Sequence, residues 1–341
     1  MPRENLEGMS SSKTTPRIAL LGCGYWGRNL ARNFHQLGAL QLICDPALQA
    51  AEAARAVAPG VELQASFLPA FQRGDIDAVA IATPAETHFD LARQAIEAGK
   101  DVFVEKPLAL KTADGRQLLQ LAATHGRVVM VGHLLEYHPA VLRLREMVRE
   151  GQLGRVNYIY SHRLNFGKIR TEENALWSFA PHDVAVILRL AGEMPQEVTC
   201  VGGSYVTPHL ADVTVSTLRF RSGLRAHIFV SWLNPFKEQR LVVVGENRMA
   251  VFDDVAPADK LVLYDQRVEF DGRMPVLQKN GCKPVALSND EPLRMECEHF
   301  LARVRDRQTP LTDAASGLRV LQVLEACQTS LQLNGQPVMI E

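Results

Sequence analysis

The chain lacks paired cysteines, a charge surplus and any long apolar run, and each lack removes a class of protein. Its six cysteines (Cys23, Cys44, Cys200, Cys282, Cys297 and Cys327) form no CxxC pair and no regular framework. That argues against a disulfide scaffold and a zinc site, and for reduced residues of a cytosolic protein. Lys and Arg total 37 against 38 Asp and Glu, so there is no basic footprint and no nucleic-acid partner is expected. No uninterrupted apolar stretch reaches the length of a bilayer span. The segment up to Thr15 is polar and has no apolar signal-peptide core. A soluble cytoplasmic protein with no membrane partner is expected, with residues 1–15 as a flexible extension. Neither an internal repeat nor a low-complexity tract is present.

What is present begins with glycine. Gly22-Cys23-Gly24-Tyr25-Trp26-Gly27 follows the apolar run Arg17 to Leu21 and precedes Arg28 to Phe34, whose apolar residues recur at helical spacing. Strand, glycine turn and helix are the context that a dinucleotide fingerprint requires. Gly22 and Gly24 would let the backbone turn tightly and approach a pyrophosphate, Gly27 would let helix pack on strand, and the helix N-terminus would face the phosphates. The next apolar run, Leu40 to Cys44, ends at Asp45, which lies 45 − 22 = 23 residues beyond the first glycine. A carboxylate there accepts hydrogen bonds from a ribose 2′-hydroxyl and repels a 2′-phosphate. No Arg or Lys follows among Pro46 to Gln49, so NAD is favoured over NADP. Capping the helix ahead of Pro46 is a compatible second role for Asp45.

At 341 residues the chain exceeds one ordinary domain. Strand and helix signals alternate through the first third: Asp77 to Thr83, then Glu86 to Ala98, Asp101 to Glu105, Thr112 to Ala123 and Arg127 to Val131. That order predicts a parallel, doubly wound sheet. After Gly132 the texture changes. Pro139 to Glu150 reads as an amphipathic helix, and from Val156 polar and apolar residues alternate, as in Thr214 to Phe220 and Arg225 to Val230, which suits an antiparallel sheet with one exposed face. Late helices are predicted over Arg294 to Arg305 and Ala314 to Leu331. The fold class is α/β, with a Rossmann dinucleotide-binding domain over 16–135 and, over 136–341, an α+β domain with a mostly antiparallel open sheet that binds substrate and builds oligomers.

Lys106 ends the Asp101 to Glu105 run, and the carboxyl end of a parallel strand is where open α/β sheets bind ligands. Pro107 restricts it to extended conformations, fixing where its stem leaves the backbone. Beside a cationic nicotinamide, like-charge repulsion would lower its pKa toward that of a useful base.

With the glycine turn, the Thr83-Pro84-Ala85-Glu86-Thr87-His88 loop and Glu105-Lys106-Pro107 in this order, nearly the whole chain resembles the glucose-fructose oxidoreductase, inositol dehydrogenase and rhizopine-catabolism family (Gfo/Idh/MocA). Val242 to Phe252 looks like that family's late strand, turn and strand. The resemblance implies an NAD-binding first domain, a second domain that closes the active site and often builds oligomers, here a homo-tetramer, and a lysine that assists hydride transfer at a sugar carbon. It extends the cofactor-binding set from Gly22, Gly24, Gly27 and Asp45 to Thr83, Pro84, His88, Glu105, Lys106 and Pro107. Tyr25 and Trp26 either pack under the dinucleotide or serve as plain core or surface residues.

Relatives usually carry a histidine, with an aspartate four residues before it, at the start of a helix in the second domain. His182 matches that histidine, but Ser178 stands where the aspartate would be. Lys106 and His182 are therefore the expected acid–base pair, with the choice of base left open, and Asp183 is expected to serve the helix N-terminus. Arg163 and Asn165 are candidates for a phosphate or sugar hydroxyl, with a solvated surface role as the alternative. Trp177 stacks on sugar or nicotinamide, or fills a core or interface. His133 and His138, five apart, share no helix face and gain no acidic or cysteine partner, so no metal is expected.

The stretches Glu173 to Asp183 and Ser231 to Glu238 resemble the branch of the family that oxidises nucleotide-linked amino sugars at C3. The expected partner is a nucleotide-sugar substrate. A 3-keto sugar reductase, a free-sugar or inositol dehydrogenase, and a non-catalytic NAD-sensing regulator are the alternatives; Lys106 and His182 argue against the regulator.

Overall fold

A computed structural model of the protein describes residues 15–340, so nearly all of the expected extension 1–15 lies outside the described residues. The first unit runs β1 (Ile18–Leu21), α1 (Tyr25–Gln36), β2 (Leu40–Cys44), α2 (Leu48–Ala54), β3 (Glu62–Gln64), α3 (Leu68–Gln72), β4 (Ala78–Ile81), α4 (His88–Glu97), β5 (Asp101–Glu105), α5 (Thr112–His125) and β6 (Val129–Gly132). The six strands pair in parallel in the order β3-β2-β1-β4-β5-β6, a doubly wound sheet with its crevice at the carboxyl end between β1 and β4. Every residue of β1, β4 and β5 is buried, as expected of strands covered on both faces, and this explains their continuous apolar runs.

The second unit continues with α6 (Pro139–Arg149), β7 (Val156–Phe166), α7 (Ala175–Ala191), β8 (Pro195–Gly203), β9 (Val213–Phe220), β10 (Arg225–Ser231), β11 (Leu233–Gly245), β12 (Met249–Asp253), β13 (Leu261–Asp271), β14 (Met274–Pro284), α8 (Pro292–Asp306), α9 (Ala314–Gln332) and β15 (Val338–Met339). Nine strands form one sheet in the order β14-β13-β12-β11-β7-β10-β9-β8-β15. All neighbours are antiparallel except β7 and β10. One face packs Val198, Leu218, Ile228 and Val243 against Ile187 of α7 and Leu324 of α9. On the opposite face Tyr160 stacks on His227 at 5.1 Å and Phe229 meets His162 edge-on at 5.7 Å.

Helix α8 belongs by sequence to the 136–341 segment, yet it packs on the first sheet. Phe300 meets Phe34 of α1 and Phe103 of β5 with ring centroids 6.4 and 5.7 Å away. Each such buried ring contributes about 1.5–3 kcal/mol from burial, so the first core is closed by residues from the far end of the chain.

The structure corrects the start of α7. Expected near His182, it begins at Ala175, where the Asn174 side chain caps it by accepting from the Trp177 N–H at 3.1 Å. Pro181 lies inside the helix rather than in its first turn. The expectation rested on the place that the histidine takes in the family; here the Asn174 cap and the buried apolar face of Ala175 to Leu190 start the helix two turns earlier and outweigh the one hydrogen bond that Pro181 omits.

Candidate active site

The glycine turn is built by close approach. Gly22 has φ +85°, and a Cβ there would lie 2.8 Å from the Thr83 nitrogen; a Cβ on Gly27 would lie 2.2 Å from the Gly22 carbonyl oxygen. Side chains at either position would push α1 off β1 or the turn off β4. At Gly24 a Cβ would meet no protein atom within 4 Å, which leaves that backbone open, as a pyrophosphate site needs. The Asp45 carboxylate accepts from the Cys23 N–H at 2.6 Å and the Ala47 N–H at 2.8 Å. It thereby ties the end of β2 to the glycine turn.

At the end of β5, Glu105 accepts from the Trp26 indole N–H and, at 3.3 Å, from the Lys106 N–H. Gly132 makes room for it: a Cβ there would stand 3.0 Å from the carboxyl carbon. Burial pushes the Glu105 carboxyl up to about 7, against the Trp26 hydrogen bond and the Lys106 charge. The Lys106–Pro107 bond is cis. Lys106 is half-buried, and its Nζ donates to the Ser178 carbonyl at 3.1 Å. Burial lowers its pKa first, with Arg170 and Arg163 adding to the effect and Glu173 and Glu105 opposing it. The protein thus depresses this lysine without any cofactor charge.

Helix α7 supplies the opposite wall. Pro181 has no N–H for the carbonyl one turn back, which opens the helical ladder in this turn, and the neighbouring Ser178 carbonyl is the one that holds Lys106. His182 follows Ser178 by four residues and so shares its helix face. Burial drives the His182 pKa well below its ordinary value, helped by Lys106, Arg163 and His133, so its imidazole is neutral at neutral pH. Its Nδ1 is buried with no hydrogen-bond partner among the described residues.

Asp183 does not serve the helix N-terminus. It is buried in mid-helix, accepting from Ser161 Oγ at 2.5 Å and from the Arg163 guanidinium at 2.8 and 3.2 Å. Arg163, expected at a phosphate or sugar hydroxyl, is engaged in this ion pair. Ser161 and Arg163 alternate on β7 and share a face; that parity was readable, but their partner on α7 was not.

The remaining candidates divide. Thr83 Oγ1 lies 2.6 Å from Thr87 Oγ1 beside the turn, and the Pro84 carbonyl accepts from Thr87. His88 is fully buried, its ring nitrogens 2.7 Å from the Pro107 carbonyl and 2.9 Å from the Thr83 carbonyl, so it braces the two loops against each other rather than lining the crevice. Tyr25 is 80% exposed at the start of α1 and packs under nothing in the protein, whereas Trp26 is held on Glu105. Asn165 is half-buried near the end of β7. Trp177 packs against the apolar cores of both units and its ring N–H donates to Gln328 at 3.2 Å, a junction role. Among the described residues no helix is long and apolar enough to cross a membrane and no three metal-ligating side chains cluster.

A dinucleotide turn joined to a lysine at the β5 end, faced by a histidine from a second, sheet-bearing unit, defines an NAD-dependent oxidoreductase. The family models agree: residues 16–133 match the oxidoreductase family with an NAD-binding Rossmann fold, and residues 141–251 match the GFO/IDH/MocA C-terminal domain. The chain belongs to the Gfo/Idh/MocA family of oxidoreductases. It is 27% identical to the UDP-N-acetylglucosamine 3-dehydrogenase of Acidithiobacillus ferrooxidans over 93% of this chain and 98% of that one, whose solved structure superposes with a TM-score of 0.82 at 25% identity, with the same shares covered. It is also 31% identical to an inositol 2-dehydrogenase of Burkholderia multivorans, over 75% of this chain and 79% of that one.

Proposed function

We propose that the protein oxidises the C3 hydroxyl of a nucleotide-linked amino sugar, UDP-N-acetylglucosamine, to the 3-keto sugar. The observation that supports this reading is the seam between β5 and α7, where Lys106 donates to the Ser178 carbonyl, a neutral His182 follows four residues on along the same helix, and Glu173, Glu105, Arg170 and Arg163 are the charges acting on the lysine. A neutral amine or imidazole takes the hydroxyl proton, and the other group orients the hydroxyl and stabilises its developing negative charge. Bound NAD supplies the acceptor for the C3 hydride. Likeness along almost the full length of a UDP-sugar 3-dehydrogenase favours C3, while Arg170, whose guanidinium would suit a diphosphate, is paired with Glu173 at 3.2 Å. The keto group so formed suits an amine-transfer step as the next reaction.

The inositol dehydrogenase likeness keeps a free polyol as the second reading. The proposed assembly is a homo-tetramer through the open sheet face, where Tyr158 and Val201 are exposed beside the stacked Tyr160 and His227.

The test is NADH formation with a panel of nucleotide sugars, free sugars and inositols, with a trap for the ketone. A 3-keto UDP-sugar identified by mass and NMR supports the proposal. Turnover of inositol or free sugars alone overturns the substrate while leaving the oxidoreductase assignment.

A further inference from the structure

The second sheet runs out into a ribbon that the rest of the chain leaves uncovered. β12 pairs with β13 only from Leu261 to Tyr264, whereas β13 and β14 go on pairing from Gln266 with Lys279 to Asp271 with Met274. These six pairs form a two-stranded arm about 20 Å long, at about 3.4 Å per residue, and every residue from Val268 to Leu277 is exposed. A two-stranded hairpin alone is marginally stable in water. The arm is also two-sided. Residues directly opposite share a face, so Val268 lies beside Leu277 and Phe270 beside Pro275 on one side, with Phe270 71% and Leu277 65% exposed. The other side carries Glu269, which accepts from Arg267 at 2.8 Å and from Gln278 at 3.0 Å, with Met274 and Val276 beside them.

The strand faces show where the apolar side belongs. Tyr160, Val242, Val251 and Val262 are successive cross-strand partners, so all four lie on the open face of the sheet. From Val262 the side chains of β13 alternate through Tyr264 to Val268 and Phe270 with no added residue on this strand; the extra residue falls on β14, between Lys279 and Cys282. The apolar side of the arm therefore continues the open face. Nine strands about 4.8 Å apart and about seven residues long give that face on the order of 900 Å², the scale of the about 800 Å² that one partner contributes to a standard interface. The free edge of β14 is less suited to pairing, since Pro275, Lys279, Lys283 and Pro284 oppose strand addition. Identical faces close on each other about a twofold axis, and an arm that overhangs its own sheet then lies over the other copy.

We propose that residues 266–279 are a clasp that reaches across to a second copy of this chain and lays Val268, Phe270 and Leu277 on that copy's open sheet face. The inference rests on the reading of the open face as the interface between copies and adds the segment that locks it.

Two variants and a cross-link test it. Phe270→Ser combined with Leu277→Ser strips the apolar side of the arm; Tyr158→Glu places a charge on the open face. Sedimentation over a concentration series reads the dissociation constant of the assembly, and NAD binding, which belongs to the first unit, checks folding. The arm variant should raise that constant by about tenfold or more, the scale of one interface anchor lost. Independently, p-benzoylphenylalanine in place of Phe270, irradiated in a mixture of unlabelled and heavy-isotope protein, should give mixed-isotope cross-links that map to the open face of the other copy. A wild-type protein that sediments as a monomer at micromolar concentration removes the open face as an interface, and the clasp with it. If Tyr158→Glu dissociates the assembly but the arm variant does not, or if the cross-links stay within one chain or land off the open face, the interface stands and the clasp is overturned. Should the arm variant lose NAD binding, the position of the cross-link alone decides.

Discussion

Lys106→Met separates catalysis from architecture because it keeps the apolar stem and removes only the amine. The structural loss is one hydrogen bond, Nζ to the Ser178 carbonyl at 3.1 Å, worth about 1 kcal/mol. Against it stands a gain. Burial holds the folded pKa of Lys106 below that of a free lysine, so between the two values the unfolded chain binds a proton that the folded chain does not, and stability rises with pH across that window. Below the window the lysine is charged in a place that disfavours charge. Replacing it removes that penalty, so the variant should melt no lower than wild type at neutral pH and its melting temperature should climb less between neutral pH and about pH 10. Turnover should behave differently. A lost acid–base group lowers it by about 10² to 10⁴, which at about 1.36 kcal/mol per decade is about 2.7–5.4 kcal/mol of barrier, several times the hydrogen bond. NADH absorbance measures turnover, intrinsic fluorescence measures NAD binding, and melting curves at several pH values measure the linkage. Turnover within tenfold of wild type, or NAD binding lost together with activity, would refute the assignment of Lys106 as the proton-transferring group.

Asp45→Ser combined with Pro46→Arg should narrow or reverse a preference for NAD over NADP, read as the ratio of dissociation constants; a wild-type protein that prefers NADP refutes the role of Asp45. Arg163→Met should destabilise by about 3–5 kcal/mol because it leaves the Asp183 carboxylate buried without its cation, and Arg163→Met/Asp183→Leu should recover most of that in denaturant unfolding; equal destabilisation in both would show that the pair is not the source. Sedimentation at micromolar concentration should show a tetramer, and a stable monomer would remove the open sheet face as the interface.

The parts legible in the sequence are those whose causes are local. Gly22 and Gly27 are demanded by a turn whose strand and helix lie within a few residues on either side, and the buried strands β4 and β5 declare themselves as apolar runs closed by Pro84 and Pro107. The parts that were not legible depend on partners far along the chain. The face of α8 announces that it will be buried, but nothing in residues 292–306 says that Phe300 will meet Phe34 and Phe103 rather than the second sheet. Arg163 reads as a solvent or substrate residue and Asp183 as one serving a helix N-terminus until the docking of α7 on β7 puts them 2.8 Å apart. The start of α7 was misplaced because the expectation came from the histidine's usual place in the family, while the local cap, Asn174, lies eight residues before His182.

That displaced helix start has a chemical consequence. Because α7 begins at Ala175, Trp177 and Ser178 occupy its first turn and His182 the turn above, so one helix carries the junction packing, the carbonyl that holds Lys106 and the second acid–base group. Trp177 is clamped between the cores of both units and tied to Gln328 of α9. The lysine from the first unit and the histidine from the second are therefore set against each other by packing at the seam and by no direct bond between them. A change at Trp177 or Gln328 that tilts α7 shifts the Ser178 carbonyl and His182 together relative to Lys106. Since transfer geometry tolerates little displacement, such a change reaches the chemistry through the seam even though neither residue carries a proton.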